Sequence, residues 1–172
     1  MLTSERLLLR APEPEDLDTL YRWENDTTLW QYGNTLNPLS KFALREFIAS
    51  CSDNIFETKQ LRLMIIEKAN NQPIGAIDLF ELELFHQRVG VGIMIDQDYQ
   101  KRGFAKEALQ LIKNYAFEGL HLHQLFAHIP AKNSSSIALF KSSGFTESGV
   151  LKDWIKWNNL YDDVIVMQCF KD

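Results

Sequence analysis

The chain has 172 residues, 45% of them hydrophobic and 24% charged, with a formal net charge of −5, which fits one soluble domain over residues 1–172 with a sizeable core. A net negative chain without a basic stretch argues against nucleic-acid partners, and no run approaches the roughly 18 apolar residues of a membrane span. Cys51 and Cys169 are too few for a disulfide framework or a zinc cluster, and the first six residues show no apolar signal region, so a cytoplasmic protein with reduced thiols is expected.

In chain order, residues 5–10 run into Leu7-Leu8-Leu9 and read as a strand, stopped by Pro12 and Pro14. Pro14, Glu15 and Asp16 suit a first helical turn, and Leu17, Leu20, Tyr21 and Glu24 mark a helix ending near Asn25. Residues 26–37 read as irregular and Phe42–Ser50 as a second helix. Leu61–Ile66 is a strand, Asn70-Asn71-Gln72-Pro73 its turn, Ile74 to about Phe85 the returning strand, and Val89–Asp96 the next. An amphipathic helix follows from about Phe104 to Gly119, with Ala105, Ala108, Leu109, Ile112, Tyr115 and Ala116 on one face. Leu125–Ile129 is a short buried strand. Asn133 or Ser134 caps a helix that Gly144 ends, and Trp154–Trp157 with Val164–Phe170 form a closing hairpin. The order β-α-α-β-β-β-α-β-α-β-β gives an α/β fold on a mixed sheet.

The most informative stretch is the apolar strand Ile93-Met94-Ile95, a polar loop and the helix from Phe104. Unpaired N–H groups of residues 101 to 106, the helix dipole, and Arg102 or Lys106 converge there as an anion site. Gly103 lets a phosphate approach the backbone. An ordinary strand–loop–helix turn has the same spacing, so spacing alone leaves both readings open.

Gln100-x-x-Gly103-x-Ala105 resembles the Q/R-x-x-G-x-G/A signature of the GNAT superfamily of N-acetyltransferases, whose loop holds the pyrophosphate of acetyl-CoA. The segment Asn133-Ser134-Ser135-Ser136-Ile137-Ala138-Leu139-Phe140-Lys141-Ser142-Ser143-Gly144-Phe145 is similar to the family's N-x-x-(S/A)-I-x-(L/I)-(Y/F)-x-x-x-G-F block. The resemblance covers residues 3 to 170 and is closest to the branch of bacterial spermidine and ribosomal-protein acetyltransferases. It implies a single N-acetyltransferase domain whose sheet splays at the strand ending in Ile95, opening a cleft for pantetheine. Gln100, Lys101, Arg102, Gly103, Phe104, Ala105 and Lys106 would form the phosphate loop. The backbone of Ile93, Met94 and Ile95 would pair with the pantetheine arm, one N–H facing the thioester oxygen. Asn133 and Ser136 would reach the same arm, although Asn133 equally suits a plain helix cap. Phe140 stands among these contacts where many members carry the tyrosine that protonates the departing thiolate. Phenylalanine has no proton to give, which leaves Ser135, Ser136 or a water, and a thiolate that leaves adequately unaided.

A base must deprotonate the amine. His128 lies where some members place a catalytic glutamate, and histidine titrates in the neutral range; a packed strand histidine is the plainer reading. Asp78, Glu81 and Glu83 are further candidates, with alternation placing Glu81 and Glu83 on one face and Asp78 on the other. Trp23, Trp30, Tyr32 and Phe42 could wall an acceptor site or belong to the core. The spermidine enzymes resembled carry acidic residues in the loop matching Asn34 to Leu39 and just after the position of Arg88. Here stand Asn34-Thr35-Leu36-Asn37-Pro38-Leu39 and Val89-Gly90, so polyamine specificity is not implied. His121-Leu122-His123 fits a turn better than a metal site, and Tyr161-Asp162-Asp163 resembles a hairpin motif of the family. The expected activity is acetyl transfer from acetyl-CoA, without a metal, to a small-molecule amine or a protein N-terminus. A non-catalytic CoA-binding sensor or scaffold is the alternative, and a homodimer is left open.

Overall fold

The computed structural model describes residues 2–32, 37–51 and 54–171. Its strands are β1 (Leu2–Thr3), β2 (Leu7–Arg10), β3 (Leu61–Glu67), β4 (Gln72–Glu83), β5 (Arg88–Ile95), β6 (Gln124–Pro130), β7 (Thr146–Trp157) and β8 (Leu160–Phe170). They form one sheet in the order β1-β2-β3-β4-β5-β6-β8-β7, antiparallel except for the β5–β6 pair. The helices are α1 (Leu17–Glu24), α2 (Lys41–Ser50), α3 (Ile55–Thr58), α4 (Phe104–Asn114) and α5 (Ser134–Ser142).

Alternation gives the sheet two faces. On one, Ala108, Leu109 and Ile112 of α4 and Phe140 of α5 are buried against Leu9, Ile65, Ile77, Val91 and Leu125. On the other, Leu20 and Trp23 of α1 and Ile48 of α2 cover Met64 and Ile66 of β3. The α1–α2 layer covers β3 and reaches Met94 near the end of β5, short of the Phe80–Gly90 end of the sheet. The same face around Glu83, Arg88, Phe126, His128 and Gln168 remains open, and the candidate site lies there.

One feature of the register creates the site. β4 pairs with β5 from Gly75↔Ile95 to Glu83↔Arg88, whereas β6 pairs with β5 only at Arg88, Val89 and Gly90. Beyond Gly90, β6 continues beside β8 as far as Pro130. The edge of β5 from Val91 to Ile95 is left without a neighbouring strand among the described residues, an unpaired row of peptide groups.

The structure differs from the expected elements in several places. Pro14–Asp16 is a 3-10 turn rather than α-helix, and the helix expected to reach Gly119 changes at Tyr115 into a π-helical turn. β1 and the one-turn α3 are too short to show a hydrophobic period. β7 begins at Thr146, eight residues before the expected hairpin arm, because most of it is exposed and carries no apolar alternation. The hairpin is closed by Asn158 and Asn159, both with positive φ, the backbone of a two-residue turn that asparagine tolerates. β4 carries a bulge between Phe80 and Glu83, with Glu81 at φ +53°. Leu79 and Leu82 thereby both face the core. Glu83 lands opposite Arg88, on the Phe80 face that also carries Asp78, so the expected separation of Glu83 from Asp78 is corrected: one extra residue reverses the alternation.

Candidate active site

The polar loop after β5 is fixed from both ends. Asp96 is buried, and its carboxylate accepts hydrogen bonds from the Trp23 indole N–H (2.8 Å) and the Asp98 N–H (3.3 Å), with Arg22 at 2.9 Å. Burial opposes its charge, but these donors outweigh burial and hold the carboxyl below the usual range. At the far end, Glu107 of α4 accepts from the Ser4 hydroxyl and from Arg6 Nε (2.7 Å). It too is held low, burial being overcome by Ser4 and Arg6. Arg6 Nη1 donates to the Arg102 carbonyl (3.1 Å), and the guanidinium stacks on Phe104 at 4.7 Å.

Between these anchors, Lys101 (φ +60°) and Gly103 (φ +84°) both take the left-handed backbone. Gly103 caps α4 without a side-chain hydrogen bond, so the N–H groups of Gly103, Phe104, Ala105 and Lys106 have no intrahelical acceptor. The Lys106 side chain is exposed while Phe104 is buried. Arg102 folds back, donating to the Asp98 carbonyl at 2.7 Å with its guanidinium 5.3 Å from the Tyr99 ring. Gln100 donates to the Ile95 carbonyl at 3.0 Å, which makes its amide a brace for the end of β5. Sequence reasoning missed Arg6, which lies 3.5 Å from the position a Cβ on Gly103 would take. It is 101 positions from Glu107 in the chain, and no local pattern signals the contact.

Across the gap, Asn133 caps α5, its Oδ1 accepting from Ser136 N–H (3.1 Å) and the Ser135 hydroxyl (3.0 Å). The capping role is thus observed. Ser136 is half-buried at the start of the helix. Phe140 requires correction: it is 2% exposed and packs edge-to-face on Phe145 at 4.9 Å. It supports the wall from inside the core instead of presenting a contact surface.

Register places the remaining candidates in rows across the open face. Glu83, Arg88 and Gln124 form one row; Phe80, Gly90, Phe126 and Gln168 the next. In the third row Asp78 and Gly92 lie on the β5 side, and His128 and Val166 stand beyond the split. His128 is exposed, so it is not the packed strand histidine of the plainer reading. It lines a cleft of about 500 Å³ with Glu81, Glu83, Arg88, Gln124 and Phe126. Asp78 is engaged by Arg62 in a bidentate pair (2.7 and 3.0 Å), while Arg62 also bridges to Glu24. These partners hold the half-buried guanidinium protonated against the cost of its partial burial.

Of the four aromatic candidates of the first third, Trp23 belongs to the core. Trp23 is committed to Asp96, the Trp30 N–H donates to the Glu24 carbonyl at 2.8 Å, and Tyr32 and Phe42 are exposed. Asn34, Thr35 and Leu36 lie outside the described residues. His121 (φ +55°) sits in the turn before β6, and His123 packs on Phe170 at 5.6 Å. Asp163 pairs with Lys152 at 2.7 Å in the closing hairpin, so this part of the Tyr161-Asp162-Asp163 motif joins β7 to β8.

Residues 6–146 match the acetyltransferase (GNAT) domain family. The chain belongs to the GNAT acetyltransferases. It is 29% identical over 170 residues to the uncharacterized N-acetyltransferase p20 of Bacillus licheniformis, covering 99% of this chain and 96% of that one. The crystal structure of spermidine N-acetyltransferase from Vibrio cholerae in complex with CoA and spermine superposes with a TM-score of 0.86 at 27% identity, covering 97% and 96% of the two chains. A dodecameric structure of the same Vibrio enzyme gives 0.80 at 26% identity, covering 97% and 95%. The split between β5 and β6 and the uncapped start of α4 are the parts of this GNAT domain whose chemistry suits acetyl-CoA: an open peptide edge for an amide-bearing arm and a ring of amides for phosphate.

Proposed function

We propose that this GNAT acetyltransferase moves an acetyl group from acetyl-CoA to the primary amine of a small molecule or of a protein N-terminus, in the cleft before His128. One observation carries the reading. The β5 edge is unpaired beyond Gly90, the exposed His128 of β6 stands two residues past the last β5–β6 pair, and the loop that leaves this end of β5 leads into the uncapped amides of α4.

In this scheme the amides of residues 103–106, with Arg6 and Lys106 nearby, hold the pyrophosphate. The free edge of β5 orients the pantetheine arm by strand-like pairing, and a β5 N–H stabilises the oxygen charge that develops at the thioester. Gln100 acts as a positioning residue, fixing the Ile95 carbonyl. His128 accepts the proton of the attacking ammonium, directly or through water. The amine nitrogen then bonds to the acetyl carbon as the carbon–sulfur bond breaks; the sulfur leaves as a thiolate, which needs little help from an acid, and the second proton of the nitrogen passes to that thiolate or to water. Phe140, buried, takes no proton-transfer part. Assembly as a homo-oligomer is supported by the dodecameric Vibrio relative and by Val150, Trp154 and Leu160 exposed on the β7–β8 hairpin.

The test is thiol release from acetyl-CoA against a panel of primary amines and peptides, with mass spectrometry of the acetylated product. Amine-dependent release is expected. CoA binding without release for any acceptor would leave the sensor reading in place.

A further inference from the structure

We infer that the acceptor is a primary monoamine bearing an aryl group, and that Phe80 is the residue that sets this preference; the inference rests on the amine-acetylation reading above. The observation is a pair of glycines covered by a ring. A Cβ on Gly90 would fall 2.3–2.7 Å from three atoms of the Phe80 ring, and on Gly92 the nearest atom would again be of Phe80, at 3.8 Å. Phe80 therefore fills the volume that a side chain at position 90 would occupy, in the row beside the split.

Its ring meets Phe126 edge-to-face at 5.9 Å and 86°, and Phe126 lies 5.4 Å from the His128 ring. Three rings thus lead from β4 to the parting of the strands. Both phenylalanines are only half-buried, so this aromatic floor stays partly open to solvent. An added ring gains from edge-to-face contact on such a floor beyond the area it covers, with its amine carried toward His128.

The charges around the floor do not suit a polycation. The two carboxylates lining the cleft, Glu81 and Glu83, are balanced by two cations, Lys59 and Arg88. Asp78, in the row nearest the split, is already paired with Arg62. A single ammonium fits this balance, whereas several along one chain would meet Lys59 and Arg88.

The test compares 2-phenylethylamine with spermidine in the thiol-release assay, together with calorimetric binding of each amine to the protein–CoA complex. The wild type is expected to favour 2-phenylethylamine by about tenfold or more in kcat/KM. Phe80→Leu, which keeps apolar volume and so the fold, should lower that selectivity by roughly three- to tenfold, the worth of one aromatic contact. Phe80→Ala should lower it further, and CoA affinity and melting point monitor folding of both variants. Spermidine used or bound as well as 2-phenylethylamine, or selectivity unchanged in both variants, overturns the inference. If no amine releases thiol, the amine-acetylation reading falls instead, and the calorimetric preference with its dependence on Phe80 still decides the inference.

Discussion

Replacing Gly103 with alanine separates the backbone from the binding function of the loop. At φ +84° the residue is left-handed, which costs a residue with a Cβ about 1–2 kcal/mol. The new methyl would meet only Arg6 Nη2, at 3.5 Å, an ordinary contact, so sterics in the free protein add little. For a domain of this size each kcal/mol lowers the melting point by roughly 2–4 °C, giving an expected drop of roughly 2–8 °C for Gly103→Ala. The methyl also stands where a phosphate would approach the amides, so the Kd for CoA should rise by about tenfold or more, beyond any effect of stability. Melting curves without ligand and calorimetric titration with CoA read the two effects separately. Unchanged CoA affinity with a lowered melting point would refute the phosphate cradle, and an unchanged melting point would refute the backbone constraint.

His128→Ala should lower kcat/KM by roughly 10²–10⁴ while CoA affinity and melting point hold, because the side chain is exposed; turnover equal to wild type retires it as the base. Phe140→Ala should cost about 3–5 kcal/mol of stability in a denaturant titration, as expected for a ring buried against Phe145, and a loss below 1 kcal/mol would place it outside the core. Asp96 and Glu107 titrate lower in the folded than in the unfolded chain. As pH falls the unfolded chain therefore takes up their protons first. The stability they contribute is complete above the ordinary carboxylate range near pH 4 and is lost below it. Asp96→Asn should flatten that acid-side fall in melting point, and an identical fall would show that Asp96 does not contribute. Arg62→Met removes the guanidinium that Asp78 and Glu24 share and should destabilise by about 1.5–3 kcal/mol, the worth of hydrogen bonds to charged groups, checked by the same denaturant titration.

How much was legible in the sequence follows from the range of the forces involved. The strand–loop–helix over Ile93–Leu109 could be read because an apolar run passes through a short polar loop with Gly103 into a helix of period 3.6, a local signal. The α5 cap at Asn133 and the helix end at Gly144 were legible for the same reason. The bulge at Glu81 was not: nothing in Phe80-Glu81-Leu82-Glu83 marks the extra residue that turns Glu83 to the cleft. Phe80 over Gly90, Arg6 beside Gly103 and Trp23 on Asp96 are meetings of distant segments, visible only once the sheet has brought them together. Phe140 misled because its place in a motif spoke for a contact, while packing put its ring inside the core. The first eight residues of β7 were missed because a strand exposed along most of its length needs no apolar alternation.

The central claim is that the parting of β5 from β6 is where acetyl-CoA lies. Amide hydrogen exchange with and without CoA tests it most directly, because the free β5 edge and the uncapped start of α4 expose amides that a bound CoA would cover. Slowed exchange concentrated in residues 91–95 and 101–106 is the expected result. Protection confined to other parts of the sheet, or none at saturating CoA, would contradict it.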